Sequence, residues 1–419
     1  MPIGHADGTS NVVAPPCVVC AGPTRSGRIN VRFLLLLLVA ASVVIGGAVW
    51  LHGYRRQKLA ARLRQQGMQA YGRAEWADAA NYLGLYLSRS PDDLEALLRY
   101  AEVQMRLQPR RADNLRQAAS SYQRILQLNP GHRLASEKLA GLFLAAGQPA
   151  EAERVLRARL AAADDDVAAR VLLARCLIRQ QQFPAAAEQL RQAIELDPQR
   201  VEAYGLLGFL QLQQLADPAA ASQTFDDLLA RNQRSSLAHV LRARFFRLQG
   251  DRAAALAELR QAESLRPADS KTLLELADEL ARLGQLDQAE HHLRAALRGD
   301  EGSKLAAYAA LARLALRRNS SEQAIQIVEQ ALVNLDDDRR VAILPLAVRC
   351  CLVAGQLEQA QRYMDQLKQA APDSSALQFV QALVAAARGQ HWSAIAMLRT
   401  LLGRQSEVDQ AWLALAEQY

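Results

Sequence analysis

Residues 167–200 read VAARVLLARCLIRQQQFPAAAEQLRQAIELDPQR, and this block decides the fold. Two apolar patterns of helical period run through it, broken near Gln181 and again at Asp197-Pro198. Small side chains stand where two helices must approach closely: Ala174 in the first pattern, Ala186 and Ala193 in the second. Leu173, Leu177 and Leu190 fill the space between. The block is one complete helix–turn–helix unit. A single helix pair leaves an apolar face uncovered, so the block predicts neighbours of the same design.

The same frame extends in both directions. Pro91, Pro130, Pro198, Pro267 and Pro372 close five of the units, and the interval from Pro130 to Pro198 is twice the length of the block. The small residue of the first helix recurs as Gly67, Ala101, Ala140, Ala174, Gly208, Ala243, Ala277, Ala312 and Ala382, and fails once, at Val348. The second helix opens its contact with Ala79, Ala118, Ala152, Ala186, Ala221, Ala255, Ala289, Ala324, Ala360 and Ala394. Four positions later comes a large residue: Leu83, Tyr122, Leu156, Leu190, Phe225, Leu259, Leu293, Val328, Met364 and Leu398. Glycines 147, 250, 284, 355 and 389 fall between the helices, where a left-handed residue ends the first one. Pro149, Pro184 and Pro218 begin second helices, where a missing N–H matters little.

This pattern resembles the tetratricopeptide repeat family: a small residue in helix A, two alanines and a large residue in helix B, and a closing proline. The resemblance covers most of the chain, from Ala60 to Ser406. The tryptophan usual in helix A is absent, and the second unit is a few residues longer than the others around Gln108–Leu115. It implies an all-α, right-handed α-solenoid of about ten helix pairs. The expected units are 60–93, 94–132, 133–166, 167–200, 201–235, 236–269, 270–304, 305–340, 341–374 and 375–408. A terminal helix follows at Asp409–Tyr419, either a cap or the start of an eleventh unit.

Ahead of the repeats, Phe33–Leu51 is FLLLLLVAASVVIGGAVWL, an apolar run without a charge. As a helix it spans about 28 Å, the thickness of a bilayer interior. Trp50 and Tyr54 mark one end, with Arg32 and Arg55-Arg56 as flanks. The long leader and the missing cleavage site argue against a removed signal peptide. The expected organisation is a flexible basic leader (1–32), a transmembrane helix (33–53) and the solenoid (54–419). Three basic residues precede the span and five follow closely, so charge and leader length point in opposite directions and orientation stays open. The order GRINVRF, leucine-rich span, HGYRRQ and repeats resembles membrane-anchored repeat proteins of planctomycetes. That resemblance implies the inner membrane of a bacterium.

The formal charge of +7 does not indicate a nucleic-acid surface. Residues 1–58 hold Arg25, Arg28, Arg32, Arg55, Arg56 and Lys58 against Asp7 alone. The chain as a whole has 50 basic and 43 acidic groups, so the remainder is nearly balanced and the excess flanks the apolar span. Five cysteines exclude a disulfide scaffold. Cys17 and Cys20 have metal-site spacing but lack a second ligand pair. Cys176, Cys350 and Cys351 sit on first helices as small apolar residues. His291 and His292 point about 100° apart and do not chelate together. The runs Asp164–Asp166 and Asp336–Asp338 read as helix N-caps. There is no phosphate loop, nucleophile elbow or paired acid–base motif, so the chain reads as non-catalytic with no cofactor.

In this family a groove-facing position lies one residue after the small residue of helix A. Here it reads Met68, Glu102, Gly141, Arg175, Phe209, Arg244, Asp278, Arg313, Arg349 and Leu383. Four arginines in ten positions exceed what the composition of the whole chain predicts. One turn further along come Arg179, Arg282 and Arg317. These arginines form a candidate ladder for an acidic peptide or a C-terminal carboxylate, with Phe209 as an anchor. The competing reading is a solvated face in an arginine-rich chain. The lysine and asparagine clamp of chaperone-binding members does not recur.

The function this implies is a membrane-anchored scaffold for a protein or peptide partner, with self-association common in the family. One alternative is an extracytoplasmic component of envelope assembly or polysaccharide export. Another is the regulatory part of a longer protein whose catalytic domain lies beyond Tyr419.

Overall fold

The computed structural model describes residues 31–107 and 112–404, as helices without a strand. It separates into a unit ending at Leu59 and a unit beginning at Ala60. In the first, the helix α1 (Val31–Gly72) begins, Trp50 stacks on Tyr54 at 5.8 Å, and the Lys58 ammonium lies 5.2 Å from the Tyr54 ring. Among the described residues no helix is long and apolar enough to cross a membrane. Of the expected span Phe33–Leu51, only Gly46, Gly47 and Trp50 are described beyond their backbone, so that expectation lies outside the described residues. The same holds for Cys17 and Cys20, for residues 108–111 of the longer stretch expected around Gln108–Leu115, and for the terminal helix 409–419.

The second unit is a stack of helix pairs. The first helices are the end of α1, α3 (Leu94–Arg106), α5 (Arg133–Ala145), α7 (Val167–Arg179) and α9 (Val201–Gln213). They continue with α11 (Ser236–Leu248), α13 (Ser270–Arg282), α15 (Glu301–Arg317), α17 (Asp337–Val353) and α19 (Ser375–Ala387). Their partners are α2 (Trp76–Leu87), α4 (Ala112–Leu128), α6 (Pro149–Ala162), α8 (Phe183–Leu196) and α10 (Pro218–Arg231). The last five are α12 (Arg252–Ser264), α14 (Leu286–Ala296), α16 (Ser321–Asn334), α18 (Leu357–Ala370) and α20 (His391–Arg404).

The repeating small and large residues are the core. All ten alanines that open the second-helix contact have zero exposure. The small residues of the first helices are buried throughout, including Val348 at the exception. Volume is balanced across each pair. Where the second helix carries Phe225 in place of leucine, the first carries Gly208, whose missing Cβ would stand 2.5 Å from the ring. Where the first helix carries the larger Val348, the facing Met364 is left half-buried. Close packing tolerates neither an overlap nor a void, so the two positions must vary together.

Helix ends follow the sequence closely. Asp93, His132, Asp166, Ser235, Asp269, Asp300, Asp336 and Ser374 each cap a first helix by accepting a hydrogen bond from a backbone N–H in its first turn. Arg200 occupies the same place before α9 and supplies no cap. α15 and α17 begin at Glu301 and Asp337, earlier than the spacing of the frame suggests. Their caps, Asp300 and Asp336, admit one more turn, giving 17 residues in place of 13. The five turn glycines all adopt positive φ, and Ala74, Gln181, Ala216 and Asn319 adopt it in the remaining described turns between paired helices.

Candidate partner-binding groove

Consecutive helices pack against each other along the stack. Beyond that, contacts run between successive first helices: α5 with α7, α9 with α11, α11 with α13, α13 with α15, α15 with α17 and α17 with α19. No second helix makes comparable contact with the next second helix among the described residues. The first helices are therefore the inner row of a curved stack, and their outward-facing positions line one face.

The structure places the candidate residues on that row and shows how they are engaged. Arg175, Asp278 and Arg313 are exposed, as are Arg179, Arg282 and Arg317, whereas Phe209, Arg244 and Arg349 are half-buried. Arg175 pairs with Glu202 of the next first helix at 2.6 Å. Arg282 pairs with Asp278, another candidate, at 2.8 Å. Arg244 reaches Glu275 at 2.6 Å and also pairs with Glu279, both on α13. The ladder expected from spacing is thus largely neutralised from within. Arg179 and Arg349 also have interactions of their own. Arg313 and Arg317 show no ion pair among the described residues.

Glu279 is the residue that motif reading missed. It stands two positions after Ala277, a place held by Gln69 in the first pair and elsewhere by the apolar Val103, Leu142, Cys176, Leu210, Phe245, Leu314, Cys350 and Val384. Its carboxylate has zero exposure and accepts from Arg244 Nε and, at 2.7 Å, from Arg247 Nε. A buried carboxylate without partners is strongly unfavourable, so both guanidiniums of α11 are needed to hold it. Desolvation alone would lower the Arg244 pKa. The hydrogen bonds that Arg244 donates to Glu279 and Glu275, with the attraction of their charges, outweigh it and hold the guanidinium above its usual value. The signal was an acid at an apolar frame position, visible only once the frame is set.

Phe209 packs on Phe225 at 5.2 Å, and the Arg244 guanidinium covers its ring at 5.7 Å. It is a lid on the core of the fifth pair with one edge toward the groove. Further along, α15, α17 and α19, with Leu401 of α20, line a cleft of about 480 Å³ that includes Arg313 and Arg349. Pro345, inside α17, forms part of its wall. It supplies no N–H to the helix ladder there.

The remaining sequence candidates have structural roles. Cys176, Cys350 and Cys351 are buried, and burial pushes each thiol up to about 11. His292 pairs with Glu263 at 2.8 Å, and its ring meets His291 edge-on. No group of three or more His, Cys, Asp or Glu side chains among the described residues is placed to hold a metal ion.

Tetratricopeptide repeat models match residues 110–176 and 274–339, and a TPR repeat model matches residues 175–214. No curated protein matches the chain. Among solved structures the chain is similar to MamA from Desulfovibrio magneticus, at 24% identity over 42% of this chain and 96% of that one, with a TM-score of 0.36. It is similar to yeast Tom70 at 14% identity over 87% and 95%, with a TM-score of 0.45. A tetratricopeptide repeat protein from Parabacteroides merdae matches at 13% identity over 73% and 99%, with a TM-score of 0.44. The chain thus carries tetratricopeptide repeats at residues 110–214 and 274–339, and the same frame of buried small and large residues runs through its other described helix pairs.

Proposed function

We propose that the chain is a membrane-anchored, non-catalytic scaffold that holds protein partners along the inner row of its solenoid. The observation that carries this reading is the side-by-side contact of successive first helices, which sets their groove-facing residues in a line. Along it stand Arg175, Arg179, Phe209, Arg244, Asp278, Arg282, Arg313, Arg317 and Arg349 as the candidate contacts. The anchor is Phe33–Leu51, argued from its length and lack of charge, at the inner membrane of a bacterium. Tethering raises the effective concentration of bound partners near the bilayer, so modest affinities suffice.

Site-specific photo-crosslinking in cells tests the groove. A crosslinker placed at Arg175 or Arg313 should give discrete adducts that are absent when it replaces exposed Arg191 on α8. Equal adducts from all three positions, or none from the inner two, would remove the reading. Protease accessibility of a C-terminal tag in spheroplasts, compared with lysed cells, then fixes the side of the membrane. Digestion before lysis would favour a role in envelope assembly.

A further inference from the structure

We infer that the cleft between α15, α17 and α19 takes a peptide segment that carries a large apolar side chain beside a carboxylate. This rests on the scaffold reading and names the partner chemistry at one part of the inner row.

Three observations meet at this place. The floor is apolar: Leu305 and Phe379 are half-buried, Ile343, Leu346 and Leu401 buried, and all five line the cleft. Its volume of about 480 Å³ lies in the range of pockets that enclose a ligand group, and it suits one leucine or aromatic side chain with its flanking backbone. Among the described residues, Arg313 and Arg349 are the only charged members of the lining, and no acid contributes to it.

The contrast with the rest of the row makes the charge informative. Upstream, Arg175, Arg244 and Arg282 face carboxylates of this chain within 2.8 Å. On α15 the sequence offers no such carboxylate to Arg313 or to Arg317, one turn on. The guanidinium of Arg313, without an ion pair among the described residues, and an apolar cavity therefore coincide on one surface. Low-dielectric walls strengthen a guanidinium–carboxylate pair, and the planar fork of arginine fixes its direction. An apolar side chain supplies burial, and the adjacent carboxylate supplies register.

The test uses the full chain in detergent micelles and a displayed library of random dodecapeptides. Enriched sequences should place Leu, Ile, Met, Phe or Trp within two positions of Asp or Glu. A synthetic peptide of the enriched sequence should lose about tenfold or more in affinity with Ala306→Trp, which fills the cleft, and with Arg313→Glu. Both sites are exposed, so helicity by circular dichroism should not change. Selection against Arg313→Glu should shift the enriched charge from acidic to basic. Unchanged affinity in both variants would overturn the cleft assignment while leaving the scaffold reading standing, since the peptides would then bind elsewhere on the row. Failure to enrich any peptide would overturn the assignment as well, and crosslinking at Arg175 would decide the scaffold reading separately. Enrichment that appears only after removal of residues 405–419, or self-association abolished by Arg313→Glu, would identify this chain as the occupant and overturn the assignment to a separate partner.

Discussion

Gly208→Ala should destabilise the fifth helix pair, and adding Phe225→Leu should undo most of the damage. An alanine Cβ at 208 would stand 2.5 Å from Cε2 and 2.6 Å from Cζ of Phe225. Carbon atoms in packed interiors settle near 3.5–4.0 Å, so the ring must move by about 1 Å. It has little room, because it is fully buried and meets Phe209 at 5.2 Å and Phe245 at 5.0 Å. Overpacking of this kind costs about 3 kcal/mol at the upper end. The better helix propensity of alanine returns about 1 kcal/mol, leaving a net loss of about 2 kcal/mol. Phe225→Leu alone opens a void over Gly208 and costs roughly 1–2 kcal/mol. Together they recreate the Ala174–Leu190 arrangement of the fourth pair, where both residues have zero exposure. The double variant should therefore lie within about 1 kcal/mol of the parent, with a coupling energy of about 2–3 kcal/mol. Urea midpoints of the full chain in detergent give the size of each change. Hydrogen exchange in α9 and α10 gives its location, because stacked repeats open locally. If the two single losses simply add in the double variant, the volume-balance argument is wrong.

Four further outcomes follow from the same structure. Glu279→Leu should cost about 3 kcal/mol in urea denaturation by stranding Arg247 and leaving Arg244 with Glu275 alone, and adding Arg244→Met and Arg247→Met should restore most of it. Arg200→Asp should stabilise α9 by about 1 kcal/mol, read as slower hydrogen exchange in its first turn, because it supplies the cap that the other first helices have. A thiol reagent should label at most two cysteines in the native chain, and all five only on unfolding, because the thiols of Cys176, Cys350 and Cys351 are buried and pushed up to about 11. Acid should weaken the fold through Asp93 and Asp166. Burial raises the pKa of each carboxyl, but hydrogen bonds from Arg64, Tyr86 and the Ala96 N–H hold Asp93 below its usual value, and those from the Ala169 N–H and Arg159 do so for Asp166. A depressed folded-state pKa contributes stability above the unfolded value of about 3.9, and that contribution is lost as pH falls through the lower folded one. The melting temperature should therefore fall below about pH 4, and less steeply in Asp166→Asn, which keeps the cap.

The fold was legible because helix pairing demands a small residue opposite a large one, and that demand recurs once in every repeat. Ala79 and Leu83, or Ala255 and Leu259, announce their burial by spacing alone. The caps were legible for a similar reason, since Asp166 and Asp336 compete for backbone N–H groups only where a helix begins. The groove was read less well. Spacing placed Arg175 and Arg244 on the inner row but gave no sign that Glu202, Glu275 and Glu279 neutralise them. Those partners lie about one repeat away, and pairing depends on side-chain reach between helices, which periodicity does not encode. Glu279 breaks the apolar frame openly, but its neighbours Glu275 and Asp278 make it read as one more acid on a charged helix, and periodicity gives no sign that it is the buried one. The apolar cleft escaped because it needs three first helices at once, with Leu305, Leu346 and Phe379 each reading as ordinary core.

The contacts between first helices also set how the stack deforms. The backbones of successive second helices come less close across the described repeats, where side-chain links such as His292 with Glu263 and Gln359 with Glu329 join them, so tightening or flattening the curve pivots about the inner row. One joint resists. Between α11 and α13, any change of spacing must pull the fully buried Glu279 away from Arg244 and Arg247, separating charges where no water replaces the lost contacts. The row therefore behaves as two pliant stretches joined by a stiff link. A partner lying within one stretch meets a surface that can adjust to it. A partner long enough to cross from Phe209 to the cleft near Arg313 has to match a spacing that the protein has already fixed.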